Sequence, residues 1–167
     1  LNFGNVVFGI APRINASSRI GHANEAVSLL VCNDPAEAER IATLINTKNQ
    51  IRRDTQEQIT SEALLLIEQN IDHLNHKSTV LFKPDWHKGV IGIVASKCVD
   101  VHYKPTIVLT ESNGMVTGSA RSVAGFDVHE AITMSSQWVE QFGGHKYAGG
   151  LSLTKEDLGE FVLELEE

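Results

Sequence analysis

The sequence predicts an α/β protein: a mixed β-sheet flanked by helices and preceded by a long interdomain helix. Three observations predict it. From Ser78 onward, short apolar runs alternate with helical stretches, the texture of strands and helices sharing one sheet. Ser112-Asn113-Gly114 separates two such runs and has the chemistry of a tight hairpin turn. Between Pro35 and Pro84 no proline or glycine occurs, while Ile41, Leu44, Ile45, Ile51, Ile59, Ala63, Leu66 and Ile67 keep an approximate helical period.

Taken in order, Val6-Val7-Phe8-Gly9-Ile10-Ala11 has the form of a short buried strand, ended by Pro12. Arg13 to Gly21 then follows as a polar loop, and Asn24 caps a short helix through Leu29, Leu30 and Val31. Asp34 is a good N-cap, Pro35 suits the first helical position, and Glu37 and Glu39 favour its positive end. The helix they open would run for about 40 residues, roughly 60 Å. Residues 46–58 are polar except for Ile51, as in a helix that bridges domains. Two helices broken near Asn46–Asn49 are the alternative.

Beyond it, Thr79-Val80-Leu81-Phe82 is a strand and Gly89 to Val101 an apolar helix with Ile91, Val94, Ala95 and Cys98 inward. Thr106 to Leu109 and Met115 to Ser119 form the hairpin. Asp127 to Met134 is a short helix, Leu151-Ser152-Leu153 a further strand, and Lys155 onward an amphipathic helix burying Leu158, Phe161, Val162 and Leu165.

A hydrophobic content of 42% suits a chain that buries a core, and no apolar run reaches the roughly 20 residues that cross a bilayer, so no membrane is expected. Cys32 and Cys98 stand in apolar contexts without zinc-ligand spacing, which fits reduced thiols in a cytoplasm. The net charge of -7 argues against nucleic acid only superficially. Much of it sits in the terminal helix, where Glu156, Asp157, Glu160, Glu164, Glu166 and Glu167 face Lys155 alone.

Three segments carry candidate chemistry. Phe142-Gly143-Gly144-His145-Lys146 reads as a glycine-rich turn whose N–H groups, beside His145 and Lys146, can seat a phosphate. Its plain counterpart is a tight turn joining two elements. Gly118-Ser119-Ala120-Arg121-Ser122 places hydroxyls of Ser119 and Ser122 about one guanidinium, a planar fork suited to phosphate. At a strand-to-helix junction, Trp86 can stack on a base while His87 and Lys88 meet a phosphate. Equally, Trp86 fills the edge of a core. No acidic or His-rich cluster is spaced to hold a metal, and His73 and His76, three apart, lack partners.

In this order, Ile10-Ala11-Pro12-Arg13-Ile14-Asn15-Ala16-Ser17-Ser18-Arg19-Ile20, Trp86-His87-Lys88-Gly89-Val90-Ile91-Gly92-Ile93-Val94-Ala95-Ser96-Lys97, Lys104-Pro105-Thr106-Ile107-Val108, Gly118–Ser122 and Phe142–His145 resemble the RecJ-type single-strand-specific exonucleases of the DHH phosphoesterase superfamily. The resemblance implies a bacterial, cytoplasmic 5′→3′ exonuclease of DNA repair and recombination. It implies that residues 1–33 are the tail of the DHH catalytic domain, 34–77 the connecting helix and 78–167 a DHHA1-type substrate-binding domain. Two Mn²⁺ or Mg²⁺ ions would be held by residues upstream of Leu1, with none in this fragment, which alone would be inactive. The start at Leu1 fits a piece cut from a longer protein.

By the same resemblance, Ser119 and Arg121 would hold a 5′-terminal phosphate, with Arg13 or Arg19 helping. Gly143, Gly144 and His145 would line the cleft. The partners implied are single-stranded DNA and a single-strand-binding protein. Ser18 stands where the family usually has glycine. Two alternatives remain: a smaller DHH–DHHA1 phosphodiesterase acting on short oligoribonucleotides or cyclic dinucleotides, and a non-catalytic RNA-binding module.

Overall fold

The computed structural model describes residues 2–70 and 75–166. The chain divides into two compact units, Leu1–Thr55 and Gln56–Glu167. His73 lies outside the described residues.

The described part of the first unit is helical. A π-helical stretch, Asn5–Ile10, runs into α1 (Ala11–Ile20), followed by α2 (Asn24–Val31) and the start of α3 (Pro35–Gln69). The strand expected at Val6–Ala11 and the loop expected at Arg13–Gly21 are therefore both corrected to helix. An apolar run this short is compatible with either state, and this unit offers no described strand to pair with, so the backbone bonds locally. Pro12 opens α1 rather than ending a strand, because a missing N–H costs nothing in a first helical turn. A small core of Ala26, Ile41 and Ile45, with Ile14 and Leu29 against it, holds these helices together. Asn24, expected as the cap of α2, is instead its first residue; the N-cap position falls on Ala23, and no side chain caps the helix.

α3 is continuous through Asn46–Asn49, without the alternative break. Its start is capped as expected, the Ala36 N–H donating to Asp34 Oδ1 at 3.0 Å. Residues 46–58 are mostly exposed, and i,i+4 bonds such as Gln50 to Asp54, 2.7 Å, lace the polar stretch.

The second unit carries a five-stranded mixed sheet in the order β1 (Thr79–Phe82), β2 (Thr106–Ser112), β3 (Met115–Arg121), β5 (Ala148–Leu153), β4 (Gln141–His145). β1 and β2 are parallel and joined by α4 (Ile91–His102); the other pairs are antiparallel. α5 (Val128–Met134) and α6 (Leu158–Leu165) follow later in the chain. Val128, Ile132 and Phe161 from these two helices meet Ile107, Leu109, Val116, Ala120, Leu151 and Leu153 in one core on a single face of the sheet. α4 packs on β2 and β3 from the opposite face, which is why β2 is buried on both sides from Thr106 to Thr110.

Asn113 at φ 54° and Gly114 at φ 78° make the expected hairpin turn. The Gly143-Gly144 run, expected as a turn, is strand β4 at the sheet edge; the turn lies one step on, between His145 and Ala148. Glycine hides a strand because it offers no alternating side chains to read.

Candidate phosphate and nucleic-acid interface

Along β3 the side chains alternate, and Val116, Gly118 and Ala120 enter the core. Ser119 and Arg121 therefore share the α4 face. Directly opposed residues in an antiparallel pair also share a face, so the register extends this arrangement outward. Ser119 pairs with Gly150, and Gly150 with Gly143. Arg121 pairs with Ala148, and Ala148 with His145. The result is a strip of bare backbone, with Gly150 and Gly143 exposed, a serine and an arginine at its inner end and an imidazole at its outer edge. Beside it lies a shallow hollow of about 390 Å³ bordered by Thr117, Gln141, Phe142, Gly150 and Ser152. A more apolar cavity of about 500 Å³, lined by Tyr103, Phe126 and Met134 among others, holds none of these groups.

The Arg121 guanidinium is oriented by its own strand: Nη1 donates to Ser119 Oγ at 2.9 Å and to the Ala120 carbonyl at 2.6 Å. It lies over the first turn of α4, beside Gly92. That helix end has no side-chain cap and no acidic residue in its first turn. Ser122 takes another course, its hydroxyl donating to the Phe126 carbonyl at 2.9 Å and tying down the loop after β3.

His145 and His87 are both exposed, and each braces a turn through Nδ1. The Tyr147 N–H donates to His145 at 3.3 Å, and the Gly89 N–H to His87 at 3.0 Å. In the neutral ring an accepting Nδ1 places the proton on Nε2. Gly144 has φ 147°, and a Cβ there would sit 2.3 Å from the Ala148 carbonyl, so the edge strand requires glycine at this position.

Trp86 is corrected. Its indole is 3% exposed, and Nε1 donates to Glu62 Oε2 at 2.9 Å, so no ring face is open to a base. Glu62, on α3, was not singled out from the sequence. It also accepts from Lys83 Nζ at 2.6 Å and from Gln58 at 3.0 Å. The Lys83 bond, then the Trp86 bond, hold its carboxyl down at about 2. Its signal in the sequence was slight: an acid beside the buried Ile59–Ala63 stripe.

In the first unit, Arg13 Nε donates to Asn46 Oδ1 at 2.7 Å and its Nη1 to the Gly9 carbonyl. Arg19 is exposed on the same helix. Six residues apart, the two point about 120° away from each other, so α1 does not bring them together. Among the described residues, no group of three or more His, Cys, Asp or Glu side chains is placed to hold a metal. No described helix is long and apolar enough to cross a membrane.

A mixed sheet with helices on both faces makes the second unit an α/β domain, and the bare glycine-floored strip beside an oriented arginine is its candidate site. The DHHA1 domain model matches residues 75–167, and the chain belongs to that family. It is 40% identical over 168 residues to the single-stranded-DNA-specific exonuclease RecJ of Bacillus subtilis, covering 99% of this chain and 21% of that protein. The Escherichia coli protein of the same name is 32% identical, with 89% and 27% covered. The crystal structure of Thermus thermophilus RecJ with Mg²⁺ superposes at a TM-score of 0.87 and 33% identity, covering 97% of this chain and 25% of that one. A manganese-bound exonuclease RecJ gives 0.84 and 32%, covering 97% and 40%. The chain thus spans well under half the length of these relatives.

Proposed function

We propose that this chain is the substrate-holding part of a 5′→3′ single-stranded-DNA exonuclease of the kind used in DNA repair and recombination. Residues 1–33 belong to the end of its catalytic domain, 34–77 connect, and 78–167 grip the strand. The observation that carries this is the Ser119–Arg121 pair set at the head of the bare Gly150–Gly143 strip. The guanidinium lies against the first turn of α4, so an anion gripped by its outer edge would also sit near the positive end of that helix. Strips without side chains let a sugar-phosphate backbone approach main-chain groups closely. Arg121 fixes the terminal phosphate, Ser119 holds the guanidinium fork in plane, and His145 and His87 flank the strand.

Divalent metal, Mg²⁺ or Mn²⁺, fits the relatives' structures. When bound in such an enzyme it activates water for attack on a phosphodiester. The described residues here do not fit a metal site.

The test is Arg121→Ala in the full-length protein, with affinity for single-stranded oligodeoxynucleotides read by fluorescence anisotropy in chelator. Losing a charge-assisted contact should weaken binding of a 5′-phosphorylated strand by about 1.5–3 kcal/mol, roughly 10- to 150-fold. A 5′-hydroxyl strand should be little affected, and Arg121→Lys should recover only part. If the alanine variant keeps the full preference for the phosphate, Arg121 is not its ligand and the proposal fails.

A further inference from the structure

We infer that Gly92 is a positioning residue for the phosphate site, kept as glycine because the space its Cβ would fill belongs to Ser119 and Arg121. This rests on the reading of Arg121 as the phosphate ligand. Gly92 is the second residue of α4 and is buried. It shows none of the positive φ values of Gly114, Gly125 and Gly144, so its backbone does not demand glycine. Alanine is the better helix former, so on local grounds it would be preferred there. The obstacle is spatial. A Cβ at Gly92 would lie 2.8 Å from Ser119 Oγ and 2.9 Å from Arg121 Nη2. Both distances are too short to keep.

The obstructing atoms decide what yields. At Gly144 the clash is with backbone, which cannot move without opening the strand pair. At Gly92 it is with a hydroxyl and the far end of a long, flexible side chain. Rotation about χ angles clears them at little cost to the fold. The fork that Ser119 holds through Nη1 is then lost, because the hydroxyl and the guanidinium are both displaced at once. The consequence is a split: the fold survives and phosphate recognition does not.

The experiment compares Gly92→Ala, Arg121→Ala and the double variant in the full-length protein. Anisotropy in chelator measures affinity for 5′-phosphorylated and 5′-hydroxyl single strands, and tryptophan fluorescence follows thermal unfolding. Gly92→Ala should lower affinity for the phosphorylated strand about tenfold or more, while the hydroxyl strand changes by less than about twofold. Its melting temperature should be unchanged or raised. The double variant should bind no worse than Arg121→Ala alone, because both changes act through one guanidinium.

If Arg121→Ala loses the phosphate preference and Gly92→Ala keeps it, this inference is wrong and the phosphate reading stands. Fully additive losses, or a Gly92→Ala protein that does not fold, also overturn it. If Arg121→Ala itself keeps the preference, the phosphate reading fails and the role of Gly92 falls with it.

Discussion

Replacing Glu62 by glutamine should destabilise the second unit in a way that disappears in acid. Glu62 accepts from Lys83 Nζ, Trp86 Nε1 and Gln58 Nε2, and its carboxyl is lowered from the ordinary 4.5 to about 2. Taken whole, that shift corresponds to about 3 kcal/mol. The side chain is 30% exposed, and solvent screening reduces the figure to about 1.5 kcal/mol. Because the folded carboxyl is the stronger acid, this stabilisation is present above about pH 4.5 and drains away as the pH falls toward 2. By pH 3 less than about half should remain. Glutamine removes the charge and turns an amide donor toward groups that are themselves donors. Both tryptophans, Trp86 and Trp138, lie in the second unit, so urea unfolding followed by intrinsic fluorescence reports on it directly. At pH 7 the variant should be less stable by about 1–2 kcal/mol, equivalent to roughly 5–10 °C in melting temperature. At pH 3 the gap should be less than about half as large. An equal gap at both pH values would mean that packing, and not the ionised carboxylate, carries the contribution of Glu62.

Gly144→Ala should cost about 2–4 kcal/mol, since φ 147° and a Cβ 2.3 Å from the Ala148 carbonyl both oppose it, whereas nothing within 4 Å opposes Gly143→Ala. Urea unfolding of the pair checks this, and equal losses would contradict the geometry. Burial pushes the Cys98 thiol up to about 11, so it should resist maleimide in the native protein at pH 8 and react after unfolding; the partly exposed Cys32 should react first, as mass spectrometry of the labelled peptides will show.

Local chemistry was enough wherever neighbouring residues make the decision. Asp34 and Pro35 announce the start of α3, and the Ala36 bond to Asp34 is the physical event behind that signal. Asn113-Gly114 announces a hairpin because few other pairs accept two positive φ values. Ser119 and Arg121 were legible as a hydroxyl beside a guanidinium, but the strand expected to end at Ser119 runs on to Arg121, and only that places the two on one face. Where the pattern is ambiguous or empty, the sequence misleads. The apolar run at Val6–Ala11 fits strand or helix equally, and Gly143-Gly144 presents no side chains to alternate.

Contacts between distant segments belong to tertiary structure alone. Trp86 meets Glu62 across 24 positions, and that single bond turns a plausible stacking platform into a buried strut. The strip from Ser119 through Gly150 to Gly143 exists only through strand register, in which one residue of slip would send every side chain to the other face. By itself, then, the sequence determined the element types governed by caps and turns, and it marked the arginine and the glycines. Which of them face one another was decided by the packing of the sheet, because register and burial depend on contacts that no local window contains.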